Sequence, residues 1–267
     1  MSVRLARIPE LVEAILEINN YTTGHALMLS CKRLFHLLAP QFWRRVKGAE
    51  QIFALLPGAA VRIDKGNKAK IPRSLKGNDL IRLKFYAEFV HDLEVFKFED
   101  YRYNFSNLDH LQRFAAHNPL LPNIFSLSFH NLKWNDNGEH PQLSLLLMFL
   151  SPSLHVFRTP LSDLEISPKL SVFAAITVLC VLAERCSNVH TLEIFCDPQY
   201  DIAREARHPS SVTSITQHLA SIPLRSLSTS TYMLRFKAAH SLSNLERLEL
   251  DLSYNSGLSL LIKCANG

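Results

Sequence analysis

The chain has 267 residues, of which 47% are hydrophobic and 20% are charged, so it can bury a sizeable core and is not disordered throughout. Its length allows one large domain, or a small domain followed by a larger one. The net charge is +5, but six basic residues lie between Pro57 and Leu80 with only two acidic ones, and a charge excess this local argues against an extended nucleic-acid-binding face.

The first predicted element is a helix that begins at Pro9. Proline suits the first helical position, and Glu10 suits the positive end of the helix dipole. From Leu11 to Leu16, apolar residues recur at helical spacing and form one apolar face. This face needs a surface to cover it, either within the chain or on another protein.

Two more short helices are predicted next. The second passes through Leu27 and is capped by Thr22 or Thr23. The third begins near Lys32 and ends before Pro40, because proline has no backbone N–H to continue the helix. Three helices this short bury little surface alone, so the module that they form is predicted to need a partner.

The residues that follow are predicted to be an irregular linker, since they hold two prolines, three glycines and the basic residues described above. The basic side chains are interpreted as a solvated loop. The chain is therefore predicted to divide into a helical module at 1–48, a linker at 49–79 and a larger domain at 80–267.

Beyond Leu80 the sequence carries a loose repeat, a six-residue unit with apolar residues at its first, fourth and sixth positions. Such spacing is typical of a short strand with one buried face. The predicted outward residues show no single chemistry; they are Glu94, Lys97, Ser126, Ser128, Glu193, Glu246 and Glu249. The predicted copies begin at Leu93, Ile124, Leu154, Val189, Leu224 and Leu245.

Helical patterns fill most of the gaps between these strands, at 107–117, 143–150, 170–186 and 211–220. Strand and helix in alternation predict an α/β solenoid with parallel strands, in which each unit buries its apolar face on its neighbours. After the last copy a new helix is predicted to start, so the repeat array is predicted either to be truncated at its carboxyl end or to fray there. Asn188 and Asn244, just before their strands, are predicted to bond the backbone at the turns.

The amino-terminal module resembles the F-box. It begins with Ile8-Pro9-Glu10-Leu11-Val12 and the pair Ile15-Leu16, continues with Cys31-Lys32, and closes on Trp43-Arg44. It departs from the family pattern at Thr23-Gly24-His25, where an Asp-Leu pair is common. Followed by irregular leucine-rich repeats, the whole chain resembles an F-box protein with a divergent leucine-rich-repeat-like domain, of the type abundant in fungi.

The resemblance implies a non-catalytic subunit of a Skp-cullin-F-box ubiquitin ligase that needs no cofactor. Its helical module would dock on a Skp-type adaptor, and through it on a cullin, while the repeats would bind an unknown substrate protein. The adaptor-binding residues implied are Ile8, Pro9, Leu11, Val12, Ile15, Leu16, Leu27, Leu29, Lys32 and Trp43.

Alternatives remain at this stage. The same apolar residues can form an ordinary core with the repeats, which would make the chain a repeat-built interaction scaffold with a vestigial module and no ligase role. Trp43 suits packing inside the module as well as docking. Nucleic-acid binding by the Lys-rich segment is the weakest alternative, since that segment lacks interleaved aromatic residues.

No enzyme, metal or membrane signature is apparent. The sequence has no Gly-rich phosphate loop and no Gly-x-Ser-x-Gly motif, and its five cysteines lack zinc-site spacing, so they are interpreted as reduced core thiols. The longest apolar stretch, 170–183, is too short to span a bilayer. The amino-terminal segment does not resemble a secretory signal, so the chain is expected to be intracellular.

Overall fold

The computed structural model describes residues 21–57, 62–63, 69–70, 75–95, 109–130, 143–159, 170–196, 209–230, 233, 242, 244–251 and 259–263. The implied adaptor-binding residues from Ile8 to Leu16 lie outside these ranges, as do Lys97 and Cys264. The helices are α1 (Tyr21–Ser30), α2 (Lys32–Trp43), α3 (Ala49–Phe53), α4 (Ile81–Ala87), α5 (Asp109–His117), α6 (Leu143–Met148), α7 (Val172–Arg185) and α8 (Pro209–Ser221), with a short 3-10 helix at Gly77–Leu80.

The strands form one large sheet and one small one. They are β1 (Arg45–Lys47), β2 (Arg62–Ile63), β3 (Ala69–Lys70), β4 (Asp92–Val95), β5 (Ser126–Phe129), β6 (Val156–Arg158), β7 (Thr191–Ile194), β8 (Ser226–Ser230), β9 (Arg247–Asp251) and β10 (Ser259–Lys263). The large sheet runs in the order β1-β4-β5-β6-β7-β8-β9-β10. All its neighbouring pairs are parallel except β9 and β10. The predicted α/β organisation with parallel strands is confirmed.

One buried apolar row crosses the parallel part of the large sheet. Its members occupy the fourth position of the repeat unit and pair in register from strand to strand. All are buried, because helices of the successive repeats cover this side of the sheet. The row consists of Val46, Leu93, Leu127, Phe157, Leu192, Leu227 and Leu248.

The first predicted copy of the repeat is placed wrongly by three residues. Leu93 was predicted at the first position, but it pairs with Leu127 and therefore occupies the fourth. The unit begins at Val90, which is fully buried. The segment from Leu93 also satisfies the apolar spacing, and only cross-strand pairing distinguishes the two registers.

The sheet begins earlier in the chain than the sequence predicted. β1 lies within the predicted helical module, and its Val46 pairs with Leu93. Gly48 follows with a φ of 101°, a conformation that favours glycine, and turns the chain into α3. Ile52 and Phe53 of α3 are buried in the main core, so this part of the predicted linker is a structural part of the first repeat.

Two further predictions, the end of one helix and the type of the last element, are wrong. α2 continues through Pro40 to Trp43, because burial of Leu38 and Ala39 on its inner side offsets the loss of one helical hydrogen bond. After the last repeat, the predicted helix is the strand β10, which pairs with β9 and covers backbone groups that an edge strand would leave open.

Candidate functional site

The described part of the predicted docking module has a small core of its own. Met28 on α1 packs with Leu34, Leu38 and Ala39 on α2, in a cluster separate from the core of the repeats. Leu27 is half-buried beside this cluster. The two helices therefore form a compact unit at the amino-terminal edge of the sheet.

The other described adaptor-binding residues differ in exposure. Leu29 is 66% exposed, and Lys32 is also exposed. Trp43 is half-buried and packs on the repeat side, where its ring centroid lies 4.7 Å from that of Tyr86 on α4. The structure thus leaves Leu29 and Lys32 free to meet another surface, while Trp43 is engaged within the chain.

Aromatic side chains connect the helical unit to the first repeat. The ring of Phe35 on α2 stacks on Phe85 of α4, with centroids 6.1 Å apart, and meets Tyr86 edge to face at 6.2 Å. Such contacts add stabilisation beyond area burial. The position of α1 and α2 relative to the sheet is therefore defined by direct side-chain packing.

A second surface is the side of the large sheet opposite the buried row. The third position of each repeat contributes one line of side chains, namely Arg45, Asp92, Ser126, Val156, Thr191, Ser226 and Arg247. The fifth position contributes another, namely Lys47, Glu94, Ser128, Arg158, Glu193, Ser228 and Glu249. Most of these side chains are polar, and the predicted outward residues that the structure describes lie on this side or at its rim.

Ion pairs link neighbouring repeats on this surface. Arg45 Nε lies 3.5 Å from Asp92 Oδ2, and Arg158 Nε lies 3.9 Å from Glu193 Oε2. Burial raises the pKa of Glu193, and Arg158 opposes that rise while Glu249 adds to it. Glu249 accepts a hydrogen bond from Ser228 Oγ at 3.2 Å. These partly exposed pairs contribute little to stability but set the charge pattern of the surface.

A third line of side chains, which the sequence reasoning missed, borders this surface where the strands begin. It occupies the second position of each repeat, and we call it the rim row: Arg44, His91, Phe125, His155, His190, Arg225 and Glu246. From Arg44 to Arg225, each rim carbonyl accepts hydrogen bonds from the next rim residue and the residue after it, at 2.7 to 3.2 Å. The sequence signal was present, since each of these residues directly follows the first apolar position of its unit.

Rings stack along the middle of the rim row. Phe125 is 43% exposed and lies parallel to His155, with centroids 4.7 Å apart and an interplanar angle of 19°. His155 in turn meets His190 edge to face at 5.6 Å. The contact of each ring with the next depends on the parallel register of the strands that they precede.

The two histidines in this stack have defined hydrogen bonds. His155 Nδ1 donates to the Ser153 carbonyl at 2.7 Å, which fixes the proton on that nitrogen. His190 Nδ1 lies 3.0 Å from the hydroxyl of Thr191. Burial lowers the pKa of His190, and the charges of His155 and Arg225 lower it further.

Turn residues tie consecutive repeats together below the rim. Asn188 Nδ2 donates to the Pro152 carbonyl at 2.9 Å, which confirms the predicted backbone role of this asparagine. Two repeats before Asn188, Asn123 Nδ2 donates the equivalent bond to the Glu88 carbonyl at 2.8 Å. These amides hold the repeats in fixed spacing and leave the rim side chains exposed above them.

The cysteines are only partly as predicted. Cys186 and Cys196 are buried free thiols, and burial raises the pKa of Cys186 to about 12. Cys31 and Cys180 are half-buried, and Cys180 Sγ donates to Glu184 at 3.4 Å. Within the described ranges, no three His, Cys, Asp or Glu side chains are placed to hold a metal ion.

The geometry thus offers two candidate binding surfaces, the exposed side of α1 and α2 and the open side of the sheet with its rim. Among the residues that the structure describes, no helix has the length and apolar character to cross a membrane. Comparison of the chain with protein-family models, curated proteins and solved structures finds no match.

Proposed function

We propose that this chain is the substrate-recognition subunit of a Skp-cullin-F-box ubiquitin ligase. The observation that carries the proposal is the small α1-α2 core, which is packed directly on the first repeat while Leu29 stays 66% exposed. An exposed apolar residue on a small helical unit is suited to protein docking. The order of the two parts also supports the proposal, since a helical module precedes a repeat-built sheet, as in the F-box architecture that the sequence resembles.

The proposed mechanism is proximity and involves no catalytic residue. The helical unit would dock on a Skp-type adaptor, and the open side of the sheet would hold a substrate protein. Because Phe35 fixes α2 against α4, the two surfaces would keep a constant separation. The bound substrate would then meet the ubiquitin-conjugating enzyme at high effective concentration. An intracellular location is part of this proposal.

Co-purification of the full chain with a Skp-type adaptor tests the docking. We expect the double substitution of Pro9 and Leu16 by glutamate to reduce adaptor capture by roughly tenfold or more. We expect the same of the single substitution Leu29→Glu. Each change places a charge in an apolar contact. The matched control is Phe173→Glu on α7, where the phenylalanine is 71% exposed and lies outside the helical unit. Adaptor capture that all three variants retain equally would refute the docking assignment.

One observation favours a second candidate, a protein-interaction scaffold without a ligase role. Trp43, one of the implied docking residues, packs against Tyr86 and the core of the repeats. If the wild-type chain captures no Skp-type adaptor but still binds a protein ligand through the sheet, this second function is the correct one.

A further inference from the structure

On β5 to β8, the second and third positions of the repeat carry hydrogen-bond donors and rings but no carboxylate. On β5 to β8, the rim row contributes Phe125, His155, His190 and Arg225. The adjoining third positions contribute Ser126, Val156, Thr191 and Ser226, of which Val156 is apolar and buried and the other three are polar and half-buried. We call these eight residues the donor patch. Carboxylates border the patch. Asp92 and Glu246 lie at its two ends, and Glu193, which pairs with Arg158, lies beside it at the fifth position of β7.

Cationic and aromatic groups line one side of the donor patch. Arg225 is exposed, follows His190 in the rim row through a backbone hydrogen bond at 2.8 Å, and carries a charge that lowers the pKa of His190. In the part of the chain that the structure describes, no carboxylate forms an ion pair with Arg225. A guanidinium that none of these described carboxylates pairs with is a strong donor to a carboxylate supplied by another molecule.

A hydrogen bond orients the ring of His155 within the patch. Its Nδ1–H is used by the Ser153 carbonyl at 2.7 Å, so the other ring nitrogen can donate only when the imidazole is protonated. The groups packed against this ring are Phe125 on one side and His190 on the other, and the charged group next along the row is Arg225.

We infer that the donor patch binds a short, extended, acidic segment of a substrate protein. The patch crosses four strands, and three strand spacings of about 4.8 Å make about 14 Å, the length of roughly four extended residues. Carboxylates of the segment meet Arg225 and the imidazoles, while an apolar side chain between them packs on Phe125. This inference rests on the proposed function only in taking the sheet as the substrate surface.

The stacking of the rings favours a peptide over a single-stranded nucleic acid. Binding of bases requires free ring faces along a continuous basic groove. Here one face of Phe125 is covered by His155, and His190 meets His155 edge to face. The carboxylates of Asp92 and Glu246 at the borders would also repel a phosphate backbone that extends beyond the patch.

Selection of random hexapeptides on the immobilised full chain tests the inference without any adaptor. We expect the selected pool to contain roughly threefold more Asp and Glu than the starting pool, with an apolar residue between the acidic ones. The best peptide, labelled with fluorescein, should lose roughly tenfold or more in affinity with Arg225→Glu.

Two variants keep the result interpretable. Phe125→Ala should weaken binding, and because Phe125 is partly exposed this variant is expected to fold. Arg33→Glu reverses an exposed charge on α2, outside the donor patch, and should leave affinity unchanged. A selected pool without acidic enrichment, or equal affinity in the Arg225→Glu chain, overturns the inference. Displacement of the peptide by a comparable concentration of a uridine decanucleotide would also overturn the inference, and would show that the patch binds nucleic acid.

Because the peptide experiment does not involve the adaptor, its failure leaves the proposed ligase role standing. Conversely, loss of adaptor capture in the experiment above says nothing about the donor patch. The two proposals are therefore tested separately on the same full-length protein.

Discussion

The fourth and second positions of the repeat lie only two residues apart but differ in the polarity and the burial of their side chains. At the fourth position all seven members are Val, Leu or Phe, and all are buried. At the second position the corresponding residues are Arg, His, Phe, His, His, Arg and Glu, and all seven are exposed or half-buried. Helix packing restricts the fourth position to apolar side chains, whereas the backbone bonds of the rim place no requirement on the side chain. The side chains of the rim row can therefore vary to suit a binding partner without disturbing the fold.

The largest test of this difference compares two phenylalanines on neighbouring repeats. Phe157 is fully buried at the fourth position, and Phe157→Ala is expected to lower the free energy of unfolding by about 3–5 kcal/mol. Phe125 lies at the second position and is 43% exposed, so Phe125→Ala should cost about 1 kcal/mol or less, mainly through lost stacking on His155. Urea unfolding of wild type, Phe157→Ala and Phe125→Ala measures both changes in the free energy of unfolding.

Similar losses for the two variants would show that the rim rings support the fold as much as the buried row does. The donor patch would then be a structural feature, and weaker peptide binding in Phe125→Ala would no longer be evidence of direct contact. A much larger loss of stability in Phe157→Ala than in Phe125→Ala would show that the buried row supports the fold and that the rim rings are available for binding.

The sequence predicts the buried row well, because burial imposes a regular pattern. The fourth positions Leu127, Phe157, Leu192 and Leu227 were each predicted within their own copies of the repeat, and they pair in register. The helices between them were predicted to within two residues at most ends. Apolar spacing and helical periodicity are local properties, so they can be read from one sequence.

The parts that were predicted wrongly depend on pairing between distant segments. The register of Leu93, the strand β10 and the continuation of α2 through Pro40 are all decided by tertiary contacts. The rim row was missed for a related reason. His155 and His190 belong to different repeats, and only the parallel register brings their rings to 5.6 Å.

A smaller effect is expected at the turns that space the repeats. Asn188→Ala removes the hydrogen bond to the Pro152 carbonyl and should lower the free energy of unfolding by about 0.5–1.5 kcal/mol. Ser187→Ala, at the exposed neighbouring residue of the same turn, is the control and should change stability little. An equal decrease in the free energy of unfolding for both variants would indicate that the turn is sensitive to any substitution. The side-chain hydrogen bond of Asn188 would then have no special role in the spacing of the repeats.

The smallest expected effect is the pH dependence of His190. Burial, His155 and Arg225 lower its pKa from the ordinary value of 6.5, so the charged form is disfavoured in the folded protein. The unfolded chain then binds more protons below about pH 6.5, and this residue makes the free energy of unfolding decrease as the pH falls. His190→Gln should remove that contribution, so wild type should lose stability relative to the variant between about pH 7 and about pH 5.

The charge on Arg225 provides the second half of this test. Because it is one cause of the lowered pKa, Arg225→Gln should reduce the pH-dependent loss at His190 without abolishing it, since burial and His155 remain. Urea midpoints across the pH range, compared among wild type and both single variants, measure the effect. A wild-type curve parallel to that of His190→Gln would mean that the rim imidazole is as well hydrated in the folded as in the unfolded chain. The rim would then differ from the buried row even more sharply than the structure indicates.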